Sequence, residues 1–255
     1  MKMNPRKHTF PGKSGYAIGP GTPNMRQDLF AIGHTDSLAP WCDPVVHLHA
    51  GSDEYFILRG GMLKFYIADQ MISLNPNEII MIKANVPHAI VGGEGSISHI
   101  GIRAPSLKDK HITGNIPERF AFFSNDDVRE LSCDWGNRIP LEDPKNQNCW
   151  LIGFDHARFL SQHIILAYMN YQTTLAANAA IGTRHRPHLH KQSWEYYLVT
   201  NGSETLQVAG EFVTVNPGEI LEIPPGVCHV LHGCDAPFEA FTIRVPIGPY
   251  DKAEC

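Results

Sequence analysis

The chain has 255 residues, 43% of them hydrophobic and 18% charged, with a formal net charge of −5 at pH 7. That length can bury one large or two small cores. The acidic balance and scattered Lys and Arg argue against a nucleic-acid or acidic-membrane partner, and no segment approaches the ~20 consecutive apolar residues of a membrane-spanning helix.

The first stretch, "MKMNPRKHTFPGKSGYAIG", is rich in Gly, Pro and polar residues and reads as loop or arm. It lacks the apolar run of a secretion signal. Together with six cysteines, none in a C-x-x-C pair, this leads to the expectation of a cytoplasmic protein with mostly free thiols. Next come "VVHLH", "EYFILR", "MLKFYIA", "QMISL", "EIIMIK", "HAIVGG" and "SHIGIRA", short β-rich runs bounded by Gly, Pro, Asn or Asp. A polar connection follows, in which "SNDDVRELSCDW" predicts a short helix capped by Ser124 or Asn125. "ILAYMNYQTTLAANA" is read as strand. After it come "HLH", "WEYYLVT", "ETLQVA", "EFVTV", "EILEIP", "HVLHG" and "FEAFTIRV".

The two series are copies of one module. A displacement of 141 positions lays His47 on His188, His49 on His190, Glu54 on Glu195 and His88 on His229. It also superposes Gly61 on Gly202, Pro76 on Pro217, Glu78 on Glu219 and Arg103 on Arg244 without a gap. The expected organisation is an arm plus first barrel over 1–112, a partly helical linker over 113–155 and a second barrel over 156–255. So many short strands predict an all-β chain of two antiparallel sandwiches or barrels.

Alternate residues of a strand share a face, so His47 with His49, and His188 with His190, point the same way. Glu54 and Glu195 open the next strands, and His88 and His229 open later ones. Strand ends thus carry three imidazoles and one carboxylate toward one mouth. Solvated histidines would account for a single H-x-H. They do not account for four residue types recurring at the same separations among apolar neighbours such as Phe56, Ile57 and Leu58. Burying a carboxylate beside imidazoles costs several kcal/mol by rough estimate unless a cation compensates it. Each quartet is therefore read as ligands of a divalent metal ion, up to two per chain.

The motifs "HLHAGSDEYFILRGG" with "NPNEIIMIKANVPH", and "HLHKQSWEYYLVTNG" with "NPGEILEIPPGVCH", resemble the paired motifs of the cupin superfamily. The whole chain resembles a bicupin, which implies two tandem jelly-roll barrels. Asn77 stands where the second copy has Gly218. Lys83, Ala84 and Asn85 stand where it has Pro224, Pro225 and Gly226, so the second copy is nearer the family pattern.

Three neutral imidazoles and one carboxylate suit Fe(II), Mn(II), Ni(II), Co(II) or Zn(II), with about two positions left on a six-coordinate ion. Arg186 shares parity with His188 and His190 and is expected to clamp a carboxylate, phosphate or enolate oxygen, with Arg184 as a further candidate. Glu195 is the candidate base if it leaves the metal. Tyr197 and Phe56 read first as core aromatics, and Arg103 and Arg244 as members of a structural ion pair. His185 is expected to face away unless Pro187 distorts the strand, and Cys228 to pack on the face opposite His229.

By resemblance the leading expectation is a dioxygenase-type oxidoreductase acting on a small organic acid, diketone or aromatic substrate. The alternatives are a non-redox metal-dependent isomerase or lyase on a sugar or sugar acid, and a non-catalytic small-molecule binder. A small-molecule substrate is the expected partner, and a homodimer the expected assembly, because such barrels expose edge strands.

Overall fold

The computed structural model describes residues 4–20, 22, 29–37, 43–117, 149–153, 158–160, 163–173, 176, 181, 185–248 and 250–255. The expected linker helix, Cys42, Cys133 and Arg184 lie outside these residues. In chain order the strands are β1 (Arg6–Thr9), β2 (Ser14–Ile18), β3 (Ala31–Ser37), β4 (Asp43–His49), β5 (Asp53–Ile67) and β6 (Gln70–Leu74). There follow β7 (Glu78–Ile82), β8 (His88–Ala104), β9 (Lys110–Asn115), β10 (Cys149–Gly153), β11 (Arg158–Leu160) and β12 (Ile165–Tyr171). The last are β13 (His188–His190), β14 (Trp194–Val208), β15 (Glu211–Val215), β16 (Glu219–Ile223), β17 (His229–Val245) and β18 (Lys252–Glu254).

These strands form two compact units, each built on one antiparallel sheet. One sheet runs β10-β7-β5-β8-β3-β2, with β4 on β8 and β9, and β6 on β5. The other runs β1-β16-β14-β17-β12-β11, with β13 on β17 and β18, and β15 on β14. The two orders match place for place.

This corrects the expected boundaries at two points. β1 pairs with β16, from Arg6 opposite Glu222 to Thr9 opposite Glu219, so the start of the chain belongs to the second barrel. β10, inside the expected linker, pairs with β7 from Cys149 opposite Ile82 to Gly153 opposite Glu78. Each capping strand lies far in sequence from the strand it completes, which local pattern does not register.

The long strands β5, β8, β14 and β17 carry both halves of each barrel. Register shifts fall between Leu58 and Met62 in β5 and between Val199 and Ser203 in β14. Such bulges bend a strand and sharpen its twist. They also reset which residues point inward. Phe56 and Leu58 share the core of the first barrel with Leu63, Phe65 and Ile67, so inward parity switches at the bulge. In the second barrel Tyr197 and Val199 are followed by Leu206 and Val208. The motif glycines Gly61 and Gly202 sit in these bends at φ +72° and +68°. A side chain there would be strained and would strike carbonyl oxygens of the partner strand.

Candidate metal centres

In each barrel the first motif delivers two imidazoles from a short strand, β4 or β13, and a carboxylate from the start of the next, β5 or β14. The third imidazole opens the long strand that pairs with both. His47 lies opposite His88, and His188 opposite His229. The ligand atoms of His47, His49, Glu54 and His88 fall within 4.8 Å of one another, as do those of His188, His190, Glu195 and His229. The six imidazoles are buried.

The tautomers follow from the hydrogen bonds. His47, His88, His188 and His229 donate from Nδ1 to the carbonyls of Val45, Val86, Arg186 and Val227, at 2.8–3.0 Å. His49 and His190 place Nδ1 at 3.1 and 2.8 Å from carboxylate oxygens of Asp109 and Asp251. A carbonyl can only accept, so Nδ1 carries the proton there and Nε2 is left to face the centre. There His88 Nε2 stands 2.9 Å from Glu54 Oε2, and His229 Nε2 stands 2.6 Å from Glu195 Oε2. Two lone pairs at that range repel unless a proton or metal cation lies between them. His190 Nε2, 3.3 Å from Glu195 Oε2, is buried without a hydrogen bond of its own among the described residues. The donor set therefore fits a divalent metal in both barrels.

A cupin domain family model matches residues 177–243. No curated protein matches the sequence. Among solved structures, salicylate 1,2-dioxygenase from Pseudaminobacter salicylatoxidans is similar at 9% identity and a TM-score of 0.63, covering 91% of this chain and 76% of that one. A variant of oxalate decarboxylase from Bacillus subtilis is similar at 11% identity and a TM-score of 0.56, covering 89% and 71%.

The chain has the bicupin fold.

Both carboxylates of the bicupin are poised to be ionised. Burial opposes the charge on Glu54, but the hydrogen bond with His88 and the surrounding imidazoles hold it at about 2. The same balance, set by His190 and His229, lowers Glu195 further. Burial lowers His47 and His49, and brings His188 to about 4, which favours the neutral, metal-binding imidazole.

Tyr197 and Phe56 lie in the cores of their barrels, as expected, but other candidates are placed differently. Arg186 is 81% exposed, 3.9 Å from the equally exposed Glu254, and does not line the cavity beside the quartet. The reason is that β13 begins only at His188, so strand alternation does not extend back to Arg186. For the same reason His185, expected to face away, lines that cavity. Cys228 is bonded to Cys255 rather than simply packed. Cys234 is a free, buried thiol.

Arg103 and Arg244 make no ion pair among the described residues. They are the direct cross-strand neighbours of Glu54 and Glu195 and line the two cavities. Each keeps a buried Nε without a hydrogen-bond partner among the described residues.

Asp109 and Asp251 escaped the sequence reading. Each orients one imidazole and also accepts backbone N–H bonds from the first-motif turn, from Gly51 in one barrel and from Gln192 and Ser193 in the other. A signal existed: the pair Asp-Lys recurs at 109–110 and 251–252, one residue out of the repeat's register.

The two cavities differ. The first, about 220 Å³, is lined by Glu54, Phe56, Tyr16, His34, His99 and Arg103. The second, about 520 Å³, is lined by Tyr168, Tyr171, Tyr197, Arg244 and Lys252 beside His188, His190 and Glu195. The strand registers make His34 and Tyr168 equivalent, because Ala31 faces Arg103 as Ile165 faces Arg244. That exchange of imidazole for phenol adds one tyrosine to the wall of the second cavity.

Proposed function

We propose that this bicupin is a metal-dependent dioxygenase-type oxidoreductase that acts on a small aromatic acid at the second barrel's centre. The observation that carries this reading is the 520 Å³ cavity, in which three members of the metal quartet (His188, His190 and Glu195), one guanidinium and three tyrosines meet. A cavity of that size suits a small organic ligand. Arg244 has a buried Nε with no hydrogen-bond partner among the described residues, directly across from Glu195, where it would pair with a substrate carboxylate. Lys252 adds a second positive charge at the wall. Tyr168, Tyr171 and Tyr197 offer ring faces to a planar substrate and keep water from it. Tyr197 donates its hydroxyl to Glu195 Oε2 at 3.3 Å, steadying that carboxylate. A bound redox-active divalent ion supplies open coordination positions for a substrate oxygen and dioxygen. The similarity of fold to a salicylate 1,2-dioxygenase supports the same reading.

The test is dioxygen uptake by protein purified anaerobically and loaded with Fe(II), over a panel of aromatic acids and diketones. Uptake with an aromatic acid, abolished in His188→Ala, is the expected result. No uptake across the panel overturns the proposal.

A second reading is a non-redox lyase or isomerase on a small acid. It is favoured by the smaller first cavity, where His34 and His99 stand near Glu54 as proton-transfer candidates. Turnover that persists with Zn(II) under anaerobic conditions would select it.

A further inference from the structure

Cys228 immediately precedes the ligand His229, and its sulfur is bonded to Cys255, just past β18. Both ends of β18 serve the second quartet. At one end the buried Asp251 holds the Nδ1 proton of His190. At the other, the disulfide ties the strand to the turn before His229. In that turn Val227 accepts from His229 Nδ1 at 3.0 Å, and Gly226 donates to the His190 carbonyl at 2.7 Å. Between the ends, β18 pairs along β13, with His188 opposite Glu254 and His190 opposite Lys252. One covalent link thus closes a frame that touches all three imidazoles.

The first barrel has the same frame without the link. There β9 lies on β4, with His47 opposite Ile112 and His49 opposite Lys110. By register, Pro87 and Thr113 occupy the places of Cys228 and Cys255. The cross-link is therefore particular to the second centre. It is also within reach of a reagent, since Cys255 is exposed and Cys228 only half-buried.

We propose that the Cys228–Cys255 disulfide is a redox latch on the second metal centre, which a dithiol reductant opens to weaken that centre's hold on metal while the first is unchanged. The inference rests on the reading of His188, His190, Glu195 and His229 as metal ligands. One thiolate of the reductant attacks the Cys255 sulfur. The Sγ–Sγ bond breaks, and Cys228 leaves as a thiolate and takes up a proton. The reductant's second thiolate then attacks the mixed disulfide and releases Cys255 as a thiol. Two electrons pass to the protein, the dithiol becomes a disulfide, and its two protons end on Cys228 and Cys255. With the link open, β18 and Asp251 are held to β13 and the first-motif turn by hydrogen bonds alone. Loss of a partner that orients a metal-bound imidazole typically lowers metal affinity about 10- to 100-fold.

The experiment titrates the full chain with Co(II), followed by its visible absorption, in three forms: oxidised, reduced with reductant removed anaerobically, and Cys255→Ser. The expected result is two tight equivalents in the oxidised protein. One should be weakened about 10- to 100-fold in the reduced protein and in C255S, with reoxidation restoring only the wild type. Two unchanged tight sites in the reduced protein and in C255S overturn the latch, even if melting temperature falls. Peptide mapping that finds Cys228 and Cys255 as thiols in the oxidised protein also overturns it. Oxidised protein that binds no metal at the second quartet defeats the ligand reading itself, a distinct outcome. If C255S does not fold, reduction and reoxidation of the wild type make the same comparison.

Discussion

His190 Nδ1 lies 2.8 Å from Asp251 Oδ2, in a pair whose side chains are 3% and 2% exposed. The carboxylate both fixes the tautomer and raises the basicity of the nitrogen that faces the centre. Asp251→Asn keeps an acceptor but loses the charge. Metal affinity of the second centre should fall about tenfold or more, and that of the first should not move. Asp109→Asn should do the reverse, because Asp109 serves His49 in the same way. Isothermal titration of each variant with Zn(II) reads both sites.

Arg244 is the proposed partner of the substrate carboxylate. Replacing it with Met keeps much of the apolar stem and removes the fork of donors. A charge-assisted hydrogen bond contributes roughly 1.5–3 kcal/mol, so binding of an aromatic carboxylate to metal-loaded protein should weaken about tenfold or more. Arg103→Met should leave that binding unchanged. Calorimetry with salicylate as the probe distinguishes the two.

Glu204 is a fully buried carboxyl with no hydrogen-bond partner for either oxygen among the described residues. Its counterpart in the first barrel is Leu63. It shares the inward face of β14 with Leu206 and Val208. Burial, with the negative Glu195 adding, pushes its pKa up to about 8. The folded protein then keeps a proton that the unfolded chain releases above its ordinary value of 4.5. Stability should therefore be unaffected by this group below that pH and fall as pH rises toward 8, at up to ~1.4 kcal/mol per pH unit. Glu204→Leu should remove this slope and stabilise the second barrel by about 1–3 kcal/mol near neutral pH. Urea melts of both proteins across the range would show it. A parallel slope in the variant would contradict the assignment.

Gly202 has φ +68°, and a Cβ there would collide with the carbonyl oxygens of Asp235 and Pro237. Both are backbone atoms of β17, which cannot turn aside as a flexible side chain can. Gly202→Ala should cost about 2 kcal/mol or more, from the strained dihedral and the clash together. Gly210→Ala, at φ +89° with open space around it, carries only the dihedral strain and should cost less. Thermal melts of the two variants side by side test the difference.

The residue order alone carried the two quartets and the duplication that makes them credible. Period-two alternation put His188 with His190 on one face, and the recurrence of Glu195 and His229 at the first copy's spacing pointed to one shared purpose. Turn residues around each run marked an all-β chain. These features are local, or are repeats of local features, and so survive in one dimension.

Other features arise only where distant segments meet. β1 and β10 complete sheets far from their own place in the chain. Bulges reset parity within β5 and β14, which turns Glu204 into the core. β13 starts too late for alternation to reach Arg186, so that side chain goes to solvent and His185 comes to the cavity. Arg244 and Asp251 reach the second centre through strand pairing, and Cys255 meets Cys228 only because β18 lies along β13. Alternation assigns faces within one unbroken strand. It does not say where the strand begins, where it bends or what pairs with it, and those are decided by the long-range hydrogen bonding and burial of the assembled barrel.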